Sequence, residues 1–172
     1  GSGTGYGSNI IAKNAKYVIG IDINVETVNF SKKKYSQPNL EFKTINDLKN
    51  NNFQNKFDVI TSFQVIEHVL NEKEYLTDIK RLLKPDGYFI LTTPNKFKRL
   101  FTYIQKPWNK FHLKEYSEKN LYQLLKKHFN SVEMLNISAK KDFVKHELIR
   151  VKKQKYFTLP FTLFIYPRFL IL

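Results

Sequence analysis

Gly1-Ser2-Gly3-Thr4-Gly5-Tyr6-Gly7, followed by Tyr17-Val18-Ile19-Gly20-Ile21-Asp22-Ile23, is the stretch on which the reading of this chain turns. The first segment is a glycine loop, and glycine lets backbone approach a ligand where any β-carbon would collide. The second is a short β-branched run with an acid near its end, the pattern of a strand. Ligands of open α/β sheets lie beyond the carboxyl ends of the strands, and a carboxylate there can accept hydrogen bonds from both ribose hydroxyls. Asp22 stands 21 residues after Gly1, close to the offset of about 20 seen in dinucleotide sites. The combination points to a nucleoside cofactor under an α/β sheet. Asp22 has a second reading as the N-cap of the helix it nearly abuts.

Outward from this stretch, short apolar runs alternate with helical patterns, the signature of βα units and a parallel sheet. Ser8–Ala15 reads as the start of a helix. Asn24 can cap a helix over Val25–Tyr35, which Pro38-Asn39 ends. Leu40–Ile45 and Phe57–Phe63 read as strands, with the polar loop Asn50-Asn51-Asn52 between them. Glu72–Leu83 is amphipathic, with Tyr75, Leu76, Ile79, Leu82 and Leu83 at helical spacing. Pro85-Asp86-Gly87 reads as a turn and Tyr88–Thr93 as a strand. Residues 94–116 look irregular, Ser117 and Asn120 bracket the start of a helix reaching Phe129, and Val132–Ile137 reads as an edge strand.

The 172 residues are enough for one domain with a core, and 42% are apolar, which excludes a disordered chain. There is no cysteine, so disulfides and thiolate metal sites are excluded and a reducing cytoplasm is the expected setting. No charged segment followed by an apolar one opens the chain, so no secretory signal is read. The net charge of +14 is uneven: residues 1–95 hold 12 basic and 10 acidic side chains, and residues 96–172 hold 17 and 5. Such asymmetry reads either as affinity for an anionic partner or as a solvated Lys-rich composition. Tyr156–Leu172 is apolar, but Pro160, Pro167 and Arg168 interrupt it, and it is too short for a transmembrane helix. With the basic stretch before it, segment 140–172 reads either as a peripheral membrane contact or as a segment packed on the body.

The glycine spacing separates two cofactor classes. A dinucleotide fingerprint puts its third glycine at position 6, where Tyr6 stands; here glycines occupy 1, 3, 5 and 7. That arrangement resembles the first motif of class I S-adenosylmethionine-dependent methyltransferases. Gly20-Ile21-Asp22-Ile23 resembles the second motif of that family. Phe57-Asp58-Val59-Ile60 with Gln64-Val65-Ile66-Glu67-His68-Val69 resembles the fourth-strand motif of its ubiquinone and small-molecule type. Leu82-Leu83-Lys84-Pro85-Asp86-Gly87-Tyr88-Phe89-Ile90 resembles the turn and fifth strand. The resemblance implies a Rossmann-like, doubly wound, mostly parallel sheet with helices on both faces, and S-adenosyl-L-methionine as cofactor. In that family a central strand precedes the glycine loop, so the fold is expected to be N-terminally incomplete and poorly stable alone. Residues 1–138 would form the methyltransferase domain, with 94–116 an acceptor-side insert and 139–172 an extension.

The resemblance also implies a cofactor map. Gly1, Gly3 and Gly5 would lie under the methionine and ribose, Asp22 would hold the ribose, and Ile23 would lie against the adenine. Asn46 and Asp47 would sit near the adenine edge, and Phe63 and Gln64 would line the cleft. Ile23 and Phe63 read equally as core residues, and Asn46 and Asp47 as turn residues. The expected reaction is methyl transfer to a hydroxyl of a small molecule, sugar or lipid-linked acceptor, with His112 or His68 as the base taking its proton. Both histidines have a structural reading as well, Glu67 reads as orienting the turn beside His68, and no metal ligands are assigned. The fourth-strand motif lacks the Asn/Asp-Pro-Pro-aromatic sequence of amino-directed nucleic-acid enzymes, which argues against DNA. Phe111-His112-Leu113-Lys114-Glu115-Tyr116-Ser117 resembles glycan-associated methyltransferases. Two rivals stay open: a nicotinamide-dependent oxidoreductase, and an inactive truncated domain that binds an anionic partner.

Overall fold

In a computed structural model of the chain, residues 1–49, 53–96 and 111–136 are described. Expectations for 97–110 and 137–172, the greater part of the acceptor-side insert and the basic and apolar extension, lie outside these residues. The chain divides into two compact units: Gly1–Phe63 with Arg81–Ile90, and Gln64–Lys80 with the residues from Leu91 onward.

The first unit opens with a loop that closes on itself through Gly5 N–H donating to the Ser2 carbonyl at 3.1 Å. Gly5 is left-handed at φ 81°, and helix α1 (Tyr6–Ala12) starts directly after it, two residues before the Ser8 read from sequence. Strand β1 (Val18–Asp22) pairs in parallel with β2 (Leu40–Thr44), in register from Val18 with Leu40 to Asp22 with Thr44. Helix α2 (Val25–Lys34) connects them, capped by the Asn24 side chain, which accepts from Thr27 N–H at 2.8 Å. Ala12, Val28, Leu40 and Phe42 form the buried core between these elements, with Val18 and Tyr35 packed against it. Burying side chains the size of Val28, Leu40 and Phe42 contributes about 1.5–3 kcal/mol each relative to exposure, and it requires the β1–β2 register found here.

A second two-stranded sheet pairs β3 (Phe57–Phe63) with β4 (Leu83–Thr92). Lys56 N–H donates to the Leu82 carbonyl and Gln64 N–H to the Thr92 carbonyl, so both strands advance in the same direction. β4 follows helix α3 (Glu72–Leu82) without a break. The turn read at Pro85-Asp86-Gly87 is therefore extended strand. Pairing already starts at Asn55 N–H with the Arg81 carbonyl, and Lys84 reaches the Asp58 carboxylate at 2.6 Å; proline costs such a ladder only one donor.

In the second unit, Leu76 and Ile79 are the buried stripe of α3. Helix α4 (Glu118–Lys126) begins at its cap Ser117, whose hydroxyl accepts from Asn120 N–H, and it buries Leu121 and Leu125. Residues 131–136 form no strand, which corrects the edge strand expected there: only Val132 and Met134 are partly buried in a run that exposes Glu133, Leu135 and Asn136. The order of elements is the α/β order expected, and among the described residues the strands form two parallel pairs. No helix among them is long and apolar enough to cross a membrane.

Candidate functional site

In the first unit the loop and the end of β1 are built as one piece. Asp22 spends both carboxylate oxygens on backbone: Oδ2 accepts from Gly3 N–H at 2.8 Å and Oδ1 from Asn24 N–H at 3.0 Å. Ser2 N–H donates to the Ile21 carbonyl at 2.7 Å, and the buried Ser31 hydroxyl donates to the Gly3 carbonyl. The helix cap is Asn24, which removes the N-cap reading of Asp22. Each carboxylate oxygen has a second lone-pair direction, so Asp22 is held in one orientation and can still accept from a ligand.

Glycine is required at two places here for different reasons. Gly5 combines its left-handed φ with a position where an added β-carbon would stand 2.7 Å from the Phe42 ring. Gly20, inside β1, has an ordinary backbone, but a β-carbon there would meet Phe42 at 2.6 Å and the Ser8 hydroxyl at 2.8 Å. The Phe42 ring therefore fills the space under the loop that side chains would otherwise take.

The other residues expected at the cofactor fall into two groups. Ile23 is 80% exposed and Phe63 52% exposed, so neither is a core residue. Gln64 sits beyond β3 with a left-handed φ of 57°, held by its N–H on the Thr92 carbonyl and its amide on the Thr92 hydroxyl. A non-glycine residue in that region stores about 1–3 kcal/mol, and such positions cluster at functional sites. Asn46 is exposed on the 3-10 turn Ile45–Lys49. Asp47 is bound to its own turn: Oδ2 accepts from Thr44 N–H at 2.8 Å and from the Thr44 hydroxyl at 3.0 Å. Those hydrogen bonds hold its carboxyl below the usual range, as its turn-residue reading requires.

In the second unit the two expected bases come together. The rings of His68 and His112 meet edge to face with centroids 4.8 Å apart. His68 lies on the 3-10 turn Ile66–His68, and its Nδ1 bonds the Phe111 carbonyl at 2.8 Å. His112 Nδ1 bonds Glu115 Oε1 at 2.8 Å, with both side chains buried. Glu67 is fully buried; its Oε2 accepts from the Thr93 hydroxyl at 2.9 Å, and its carbonyl accepts from the N–H groups of Leu113 and Lys114. Thr93, Leu113 and Glu115 were not read as site residues from sequence. The one available signal was the acid three positions after His112. Among the described residues His128 joins no such cluster, and His146 lies outside them.

Residues 1–156 match the family described as "Methyltransferase domain". A Mycolicibacterium smegmatis protein that bears the name of an S-adenosylmethionine-dependent methyltransferase is 32% identical over 125 residues, 73% of this chain and 48% of that protein. The ubiquinone biosynthesis O-methyltransferase of Actinobacillus pleuropneumoniae is 32% identical over 111 residues, 60% of this chain and 47% of that enzyme. The chain thus spans about half the length of the curated relatives it matches. The solved structure of the YcgJ protein from Bacillus subtilis shares the fold, with a TM-score of 0.60 at 18% identity over 74% of this chain and 58% of that one. The chain belongs to the methyltransferase domain family, among the Rossmann-like, class I methyltransferases whose cofactor is S-adenosylmethionine.

Proposed function

We propose that the protein transfers a methyl group from S-adenosylmethionine to a hydroxyl of a small molecule, sugar or lipid-linked acceptor, in a cytoplasmic setting. The observation that carries this reading is Asp22, fixed by Gly3 and Asn24 at the mouth of a loop whose glycines leave no side chain in the way. The fit to the cofactor is chemical as well as spatial: an oriented carboxylate suits a ribose diol, and the exposed Ile23 beside it suits an adenine face. Gly1, Gly3 and Gly5 would carry the methionine end, Asn46 would meet the adenine edge, and Phe63 and Gln64 would complete the lining. Asp47 would act by shaping that turn.

The bound sulfonium supplies an already activated methyl group, so the protein's share is mainly to align donor and acceptor, a share that can amount to several kcal/mol. The acceptor oxygen must lose its proton, and His68 and His112 are assigned to that step. Each keeps Nδ1 on an acceptor, Phe111 and Glu115 respectively, so in the neutral ring Nε2 holds the lone pair that would take the proton. An O-methyltransferase among the relatives supports oxygen as the acceptor atom.

Isothermal titration of the folded chain with S-adenosylmethionine and S-adenosylhomocysteine tests the donor half. Saturable binding is expected, weakened at least tenfold in Asp22→Ala. Binding of a reduced nicotinamide cofactor in place of both would overturn it.

A further inference from the structure

Glu67, His68 and His112 bring three potential metal ligands to one place: their ligand atoms all lie within 4.8 Å of one another. The hydrogen bonds around them decide what those atoms can do. A carbonyl and a carboxylate only accept, so His68 and His112 both carry their proton on Nδ1, toward Phe111 and Glu115. In the neutral ring, Nε2 of each histidine then holds the lone pair that a metal would take. Imidazoles that bind metals are held in this way, with the far N–H on a carboxylate or backbone carbonyl.

Glu67 supplies the independent observation. Its side chain is fully buried, Thr93 satisfies Oε2, and among the described residues Oε1 has no hydrogen-bond partner. A buried carboxylate oxygen left without a partner is costly. Glu115, bonded to His112, is a second buried carboxylate, and among the described residues neither it nor Glu67 has a lysine or arginine partner. A divalent cation would bring positive charge to two buried acids whose ionisable partner among the described residues is the histidine His112.

We propose that Glu67, His68 and His112 bind one divalent first-row metal ion, zinc or manganese in class, through Glu67 Oε1 and the two Nε2 atoms. Glu115 and the Phe111 carbonyl orient the histidines, and Thr93 orients Glu67. Two imidazoles with one carboxylate suit such ions better than calcium or magnesium. Ligands at the usual 2.0–2.2 Å from one ion stand about 3.3–4.2 Å apart, so a cluster spread over 4.8 Å closes by about 0.6–1.5 Å, mainly through the exposed His68. Three protein ligands leave coordination positions open to an oxygen. Resting on the methyl-transfer reading, an acceptor hydroxyl bound there would release its proton to solvent more readily, and the histidines would act as ligands in place of bases.

The test is metal binding, measured apart from methyl transfer. The whole chain is stripped with a chelator, dialysed and titrated with zinc and with manganese by calorimetry; cobalt substitution gives a visible spectrum that reports nitrogen and oxygen ligation. One ion per chain is expected. His112→Ala should abolish binding, and His68→Ala, at an exposed ring, should weaken it at least tenfold without affecting folding. Glu115→Gln should weaken it about 10–100-fold, the usual loss for an orienting partner. Circular dichroism identifies any variant that fails to fold, and the His68 variant carries the test if Glu67→Gln or His112→Ala does. His128→Ala is the control and should bind normally. Absence of saturable binding to the folded chain, or binding indifferent to both histidine variants, overturns the proposal. Methyl transfer that persists after chelation and is lost in His112→Ala also overturns it, and leaves the base assignment standing.

Discussion

At Gly20 a single missing methyl group decides how the strand and the loop pack. The space is filled by Phe42 and Ser8, so Gly20→Ala must push an aromatic ring or the first helix aside. Overpacking of this kind costs about 1–3 kcal/mol, and urea unfolding should show a loss of that size. Gly7→Ala is the matched comparison. Among the described residues nothing lies within 4 Å of its β-carbon position, and alanine in a helix is favoured over glycine by about 1 kcal/mol, so stability should hold or rise. Gly20 was legible as part of a motif with Asp22. That it is glycine because of an aromatic ring 22 positions later was not, since the contact depends on β1–β2 pairing.

At the scale of the element, α2 shows how much one side chain at a helix end can settle. Asn24 occupies the cap and Asp22, two residues earlier, binds the Asn24 N–H and the loop at once. Asn24→Ala should lower stability by about 1 kcal/mol, and Asn24→Gly by only a few tenths, in thermal or denaturant melts. S-adenosylmethionine affinity should change little with either, because Asp22 accepts from the Asn24 backbone N–H, which both variants keep. The capped helices and the apolar stripes of α3 and α4 follow spacing rules and could be read directly. Pro85-Asp86-Gly87 could not: locally it is a turn signal, yet the hydrogen bonds of Asn55 and Lys56 to Arg81 and Leu82 commit the segment to a strand before it is reached.

Across the whole molecule, charge sets the response to acid. Hydrogen bonds from Thr44 hold Asp47 below the usual carboxylate range, Lys84 does the same for Asp58, and Lys43, with help from Tyr17, for Glu41. In the unfolded chain these groups take up protons near pH 4. Their contribution is therefore complete above that pH and lost as pH falls through the lower folded values. Each proton also adds to a net charge already at +14, which further favours expansion. Thermal midpoints should be flat from about pH 8 to 5 and fall below about pH 4, and Asp58→Asn should reduce the acid sensitivity.

By itself the sequence determined the order of most elements and the acid at the end of β1, because these are written in local spacing, and its four motifs in order carried the resemblance to the class: glycines at 1, 3, 5 and 7, a β-branched run, an acid 21 residues after Gly1. The tertiary structure alone decided which of the chemically able side chains act together. His112 is 44 positions from His68 and 45 from Glu67, and no periodicity links them. They meet because Leu113 and Lys114 donate their N–H groups to the Glu67 carbonyl, and because Tyr116 bridges to Asn95. Long-range backbone pairing of this kind places a fully buried carboxylate beside two oriented imidazoles.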